Sequence, residues 1–119
     1  MKDYNGKLEH NGKEYKLVFN LNVMEQIQDE YGSVDAWGKL TEGDDETGEP
    51  NVKAVKFGFT CMMNEAIDME NEENGTNIKP VTKQFVGRLL TDVGMEVMAK
   101  KLQETVINST QNPDTPKNE

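Results

Sequence analysis

The dipeptide Asn11-Gly12 constrains the fold more than any other feature of this 119-residue sequence. It lies between two short runs in which apolar and polar residues alternate. Asn-Gly in this setting is the strongest short-range hairpin signal, because both central positions of a type I′ turn require positive φ. A two-residue turn pairs Leu8 with Tyr15 and places the apolar side chains on one face. The sequence therefore predicts a β-hairpin over residues 4–21, with a slightly longer turn as the alternative.

After the hairpin, apolar residues recur every three or four positions, which is the spacing of amphipathic helices. Asn22 and Glu25 form the pattern of a capping box at the start of the first helix. Ser33 and Thr82 are the expected N-caps of two later helices, and Gly94 is expected to separate the last two. The predicted helices run from Val23 to Tyr31, from Val34 to Leu40, from Val52 to Asn71, from the Thr82 cap to Val93 and from Met95 to Val106.

Two segments lack the residues that a core would bury. Residues 41–51 are acidic and contain no apolar residue, which predicts a mobile loop. Residues 108–119 are polar, which predicts a disordered C-terminal tail. The sequence therefore predicts a single α+β domain over residues 1–107, in which an N-terminal β-hairpin packs on four to five α-helices.

Charge is unevenly distributed along the chain, whose 13 basic and 22 acidic residues give a formal net charge of −9. Residues 23–50 contain nine acidic residues and one basic residue, whereas residues 79–101 contain five basic and two acidic residues. This polarity keeps the surface solvated, steers a partner, or orders copies of the chain head to tail as a homo-oligomer. The acidic excess argues against nucleic acid and anionic membranes as partners, because phosphate contacts need lysine and arginine.

The residues that most enzymes and metal sites require are scarce. Cys61 is the only cysteine, which excludes an internal disulfide and a cysteine-built zinc site. His10 is the only histidine and lies beside the predicted turn, so we expect a charged surface histidine rather than a catalytic base. The acidic runs at residues 44–46 and 68–73 do not follow the pattern of a calcium-binding loop. We therefore expect no catalytic residue, no metal and no cofactor.

The sequence shows no signal that would direct the chain into or across a membrane. The first six residues lack the apolar core of a signal peptide. No run approaches the roughly 18 apolar residues of a transmembrane helix. We expect an intracellular protein.

Protein binding is the function class that these exclusions leave. On the predicted helix over residues 52–71, Ala54, Phe57 and Cys61 lie opposite the main apolar stripe. Either this helix is central and covered on both sides, or part of it contacts a partner. The methionines suit an adaptable apolar surface or a core, and the same two roles are open for Trp37. The candidate protein-binding residues are Trp37, Phe57, Cys61, Met62, Met95 and Met98.

Residues 11–37 carry a family resemblance. Its motifs are Phe19-x-Leu21 at the end of the hairpin, and Met24-Glu25-x-Ile27 followed by Tyr31-Gly32 in the next helix. This stretch resembles the opening of the small tail assembly chaperones that are encoded by long-tailed phages and prophages of Gram-positive bacteria. The resemblance extends over about residues 6–107, with the same order of hairpin, helix, acidic gap, helical remainder and loose tail.

The resemblance implies a non-enzymatic protein of the host bacterial cytoplasm. Such a chaperone binds the tape measure protein and keeps it soluble until tail tube subunits assemble around it. The major tail tube protein is a second candidate partner. The resemblance assigns no individual residue to the contact with a partner.

Other function classes compete with this one. The acidic segment over residues 23–50 suits a regulator or inhibitor encoded on a mobile element, which would mimic the charge of DNA or block a basic host or phage protein. An enzyme that uses carboxylates would need an acid with a raised pKa inside a pocket. A structural virion component, such as a head–tail connector, is a further alternative.

Overall fold

A computed structural model of the chain describes residues 4–43 and 48–110. Two strands precede five helices, so the predicted α+β architecture is confirmed. The strands are β1 (Gly6–His10) and β2 (Lys13–Leu17), and the helices are α1 (Leu21–Tyr31), α2 (Val34–Glu42), α3 (Val52–Asn74), α4 (Lys83–Val93) and α5 (Met95–Thr110).

The two strands form the hairpin that the Asn-Gly signal predicts. Asn11 has φ 54° and Gly12 has φ 78°, as a type I′ turn requires. The antiparallel register pairs Leu8 with Tyr15, which confirms the two-residue turn. Strand β2 ends earlier than predicted, at Leu17, because the chain then turns onto a helix: the Val18 N–H donates to the Met62 carbonyl of α3 at 3.3 Å.

The N-cap of α1 differs from the prediction. The side chain of Asn20, not of Asn22, accepts a hydrogen bond from the Val23 N–H, at 3.2 Å. Asn20 has extended backbone, as an N-cap needs, whereas Asn22 already lies in the first turn. The Asn22 side chain instead donates to Glu65 of α3 at 3.0 Å. The capping-box pattern was therefore misleading by two residues.

Helix α3 is the centre of the molecule and contacts β2 and all four other helices. Buried residues lie on both of its sides: Phe59 and Met62 on the predicted stripe, Ala54 and Cys61 opposite. Central burial is therefore the correct alternative. The predicted apolar stripe includes one residue that is not buried: Val52, at the N-terminal end of the helix, is 55% exposed.

The predicted acidic loop is partly ordered. Thr41 belongs to α2 and is buried, and the Asn51 N–H donates to the Leu40 carbonyl at 2.8 Å. Asn51 also caps α3, because its side chain accepts a hydrogen bond from the Ala54 N–H at 2.9 Å. Residues 44–47 of that predicted loop lie outside the described residues.

Helix α5 continues past the predicted domain end at residue 107. It ends at Thr110, and the Asn108 side chain donates to the Asn5 carbonyl before the hairpin, at 3.1 Å. The first residues of the predicted tail are therefore helical. The rest of that prediction, over residues 111–119, lies outside the described residues.

Candidate protein-binding site

Four of the six candidate binding residues are core residues: Trp37, Cys61, Met62 and Met98 are buried. Trp37 is only 1% exposed, its indole N–H donates to the Ala54 carbonyl at 2.9 Å, and its ring stacks on Phe19 with centroids 6.1 Å apart. These contacts fix α2 on α3. Of the two roles open for these four residues, the structure therefore places them in the core role, and a binding surface must be built from others.

The remaining two candidates, Phe57 and Met95, are half-buried and lie in different surroundings. Phe57 packs edge-on against Tyr31, with centroids 5.5 Å apart, and the Lys83 ammonium lies 5.8 Å from the centre of its ring. Met95 lines a separate opening together with Val52. The structure therefore does not bring the six residues together into one surface.

The Cys61 thiol is held in its protonated form. Burial raises the pKa of Cys61 to about 11, and the positive charge of Lys83 offsets only part of this shift. The Cys61 Sγ donates to the Gln26 side-chain oxygen at 3.3 Å. Because the thiolate is the nucleophile, this environment makes the cysteine unreactive at neutral pH.

His10 is half-buried at the surface, next to α4. The hairpin packs against α4, so the His10 side chain is only 19% exposed, and its Nε2 lies 3.3 Å from the Asp92 carboxylate. Within residues 4–43 and 48–110, no three His, Cys, Asp or Glu side chains are grouped in a way that could hold a metal ion.

An open groove lies between β2, the C-terminal half of α3 and the connector that leads into α4. We call it the β2–α3 groove, and its volume is about 440 Å³, within the range of ligand-binding clefts. Met63, Ala66 and Ile67 of α3 form its floor, and Ile78 and Val81 of the connector line its other side. Met63 and Ala66 are themselves buried, so the apolar surface that a partner can reach belongs to Ile67, Ile78 and Val81.

Charged side chains surround this floor. They are Lys13, Lys16 and Lys79, with Glu14 and Glu70. Glu14 forms an ion pair with Lys7 at 3.2 Å, which compensates one of the two acids. The rim of the groove is therefore basic in a protein whose net charge is −9.

Local sequence patterns do not single out the residues of this groove. Ile78 is the clearest of them, because it is 43% exposed in a connector that is otherwise without large apolar residues up to Pro80. A lone large apolar residue within a polar connector was the available signal. The other floor residues gave no signal of their own, because Ile67 and Ala66 belong to the same apolar stripe as the core of α3.

None of the helices in the described part of the chain is both long enough and apolar enough to cross a lipid bilayer. Comparisons with protein-family models, with curated proteins and with solved structures give no match for this chain.

Proposed function

We propose that this protein is a tail assembly chaperone of a long-tailed phage or prophage, which binds the tape measure protein and keeps it soluble before assembly. The observation that carries the proposal is the resemblance of residues 11–37 to the opening of that family. These residues form the turn, β2, α1 and the beginning of α2. The order of elements that the resemblance implies agrees with the observed fold.

The surface of the molecule suits this function physically. A long protein awaiting assembly exposes apolar segments that aggregate, so its holder needs apolar contact area within a charged, well-solvated exterior. The β2–α3 groove supplies apolar contact area, and acidic side chains such as Glu25, Asp29 and Asp35 are exposed on α1 and α2. Binding of this kind stabilises the soluble form of the client by mass action and requires no covalent step.

Co-expression with the tape measure protein encoded in the same phage or prophage tests the proposal. We expect the tape measure protein to move from the insoluble to the soluble fraction and to co-purify with this chain. A tape measure protein that stays insoluble and unbound, while this chain is soluble and folded, would contradict the proposed function. A co-expressed acidic protein of similar size and charge controls for a general effect of charge on solubility.

The second candidate is an acidic regulator or inhibitor that binds a basic host or phage protein. The exposed acids of α1 and α2 favour it, because a dense acidic surface attracts basic DNA-binding proteins. Salt separates the two candidates. Capture of a basic protein from host lysate that is lost at about 0.5 M NaCl supports the regulator, because exposed charges are then screened. Binding of the tape measure protein that persists at this salt supports the chaperone.

A further inference from the structure

The outer edge of β2 carries backbone groups that do not bond to β1. A two-residue turn closes on a hydrogen-bonded pair, here His10 and Lys13, and in an antiparallel ladder every second residue then bonds across. The N–H and C=O groups of Glu14 and Lys16 therefore point away from β1. Val18, two positions further, shows the same direction, because its N–H donates outward to Met62 of α3.

This edge borders the β2–α3 groove. From the contact between Val18 and Met62, β2 runs back towards Glu14 while α3 continues towards Glu70, and the groove opens between them. Within residues 4–43 and 48–110, no backbone hydrogen bond joins Glu14 or Lys16 to an element other than β1. A strand edge of this kind beside an apolar floor accepts an added strand, because the backbone supplies hydrogen bonds and the floor receives alternate side chains.

We propose that the β2–α3 groove binds an extended segment of a partner protein as a third strand beside β2, and that apolar and acidic residues alternate in this segment. The alternation follows from strand geometry, in which successive side chains point to opposite faces. One face of the added strand contacts Ile67 and Ile78. The other carries acids that the basic rim attracts.

The charged residues on the rim of the groove favour an acidic partner. Three lysines and two glutamates line the groove, and one of these glutamates, Glu14, forms an ion pair with Lys7, which does not line it. The rim therefore favours a segment that carries acidic side chains.

Segments of this chain do not match the groove. Residues 111–119 and residues 42–51 contain no valine, leucine, isoleucine, methionine or aromatic residue that could contact its apolar floor. The tail is therefore not the expected occupant, and neither is the acidic loop of a second copy. An apolar–acidic segment of another protein fits both the floor and the rim.

This inference deepens the proposed function and rests on it only for the identity of the partner. The probe is a capped synthetic peptide of about six residues in which glutamate and valine alternate, a typical strand length. Amide hydrogen exchange of the full chain, measured by NMR with and without the peptide, reports the pairing directly. We expect exchange at Glu14 and Lys16 to slow about tenfold or more at saturation, because their N–H groups become hydrogen-bonded.

Two control peptides test separately the preference for acidic side chains and the need for backbone pairing. A peptide that alternates lysine and valine should bind at least about tenfold more weakly, because its charges repel the basic rim. The glutamate–valine peptide with N-methylated backbone should lose binding, because it cannot pair with β2. Equal binding of all three peptides, or binding without slower exchange at Glu14 and Lys16, would overturn the proposal.

Matched variants test the floor and the rim. Ile67→Glu places a charge on the floor, and Val97→Glu places one on the exposed surface of α5. Lys79→Glu reverses a rim charge, and Lys100→Glu reverses an exposed charge outside the groove. We expect the two groove variants to weaken peptide binding about tenfold and the two controls to leave it unchanged. Lys79 lies in an exposed connector, so this variant stays informative if Ile67→Glu does not fold.

The outcomes separate this inference from the proposed function. If the wild-type chain keeps the tape measure protein soluble but the peptide does not bind, the groove inference is wrong and the chaperone function stands. If the peptide binds as expected but the tape measure protein stays insoluble, the groove inference stands and the proposed client is wrong. Self-association through Ile67 without peptide binding would also overturn the groove inference.

Discussion

Gly58 lets α2 and α5 pack closely against α3. A Cβ atom at this position would lie 2.5 Å from the Trp37 ring and 3.2 Å from the Leu102 side chain. The indole occupies the space that a side chain at residue 58 would fill, which lets Trp37 reach the Ala54 carbonyl. Because Gly58 of α3 has no side chain, the Trp37 indole of α2 can occupy this space.

We expect Gly58→Ala to lower the free energy of unfolding by about 1–3 kcal/mol, because the new methyl group overpacks the core. Gly87→Ala in α4 is the matched control, since its Cβ would meet the Lys56 side chain at an ordinary 3.5 Å. That control should gain up to about 1 kcal/mol of helix propensity. Urea denaturation measures both, and an equal effect of the two substitutions would contradict the packing described for Gly58.

Cys61 gives a prediction about pH. Its pKa is raised to about 11 from an ordinary value of 9.0, so at pH 8 the folded chain should react with iodoacetamide about 100-fold more slowly than the chain unfolded in urea. A thiol that is equally reactive in both states would contradict the burial of Cys61. The raised pKa also stabilises the fold fully below about pH 9, and this contribution is lost as pH rises from about 9 to about 11.

Individual residues were only partly predictable. The sequence left two roles open for Trp37, Met62 and Met98, because apolar periodicity identifies the face of a helix but not what covers it. The structure resolves this through contacts between segments far apart in the chain, such as Trp37 with Ala54 and Phe19. The contact of His10 with Asp92 of α4 likewise joins distant segments, and no local pattern indicates it.

At the scale of elements, local sequence patterns locate a turn or a helix start correctly where only one residue is a suitable candidate for it. The Asn11-Gly12 turn, the Ser33 and Thr82 caps and the break at Gly94 all agree with the structure. The start of α1 did not, because two asparagines compete and only the backbone at Asn20 is extended. Which asparagine becomes the N-cap depends on the backbone conformation of the chain after β2, and no local sequence pattern indicates that conformation.

The two asparagines allow a direct comparison. We expect Asn20→Ala to lower the free energy of unfolding by about 1 kcal/mol more than Asn22→Ala, because only Asn20 accepts the hydrogen bond from Val23. Both side chains donate to Glu65, so the lost contact with α3 largely cancels in the comparison. Thermal or urea unfolding of the two variants measures the difference. Equal losses, or a larger loss for Asn22→Ala, would show that Asn20 is not the cap.

The turn of the hairpin gives a second prediction about the free energy of unfolding. Gly12 has φ 78° and an added Cβ would meet no other atom within 4 Å, so a substitution there changes backbone energy alone. We expect Gly12→Ala to cost about 1–2 kcal/mol, because alanine is strained in the left-handed region. Gly38→Ala, in α2 with similar open space, should be neutral or stabilising. Urea unfolding that ranks the two variants the other way round would contradict the type I′ turn.

At the scale of the whole molecule, the α+β architecture was predictable but the groove was not. The hairpin and the helices each have a local signature, so their order could be derived from the sequence. The β2–α3 groove combines residues from positions 13–16, 63–70 and 78–81, and only tertiary packing brings these together. The contrast between a basic groove rim and an acidic exterior is likewise a property of the folded molecule.

The proposed chaperone function depends on non-covalent binding of an aggregation-prone partner. Light scattering tests it most directly, by following purified tape measure protein as it is diluted from denaturant with an equal molar amount of this chain. We expect scattering to be suppressed, and suppression to persist at about 0.5 M NaCl, because apolar contacts are not screened. Scattering as high as that with an unrelated acidic protein would contradict the proposed function.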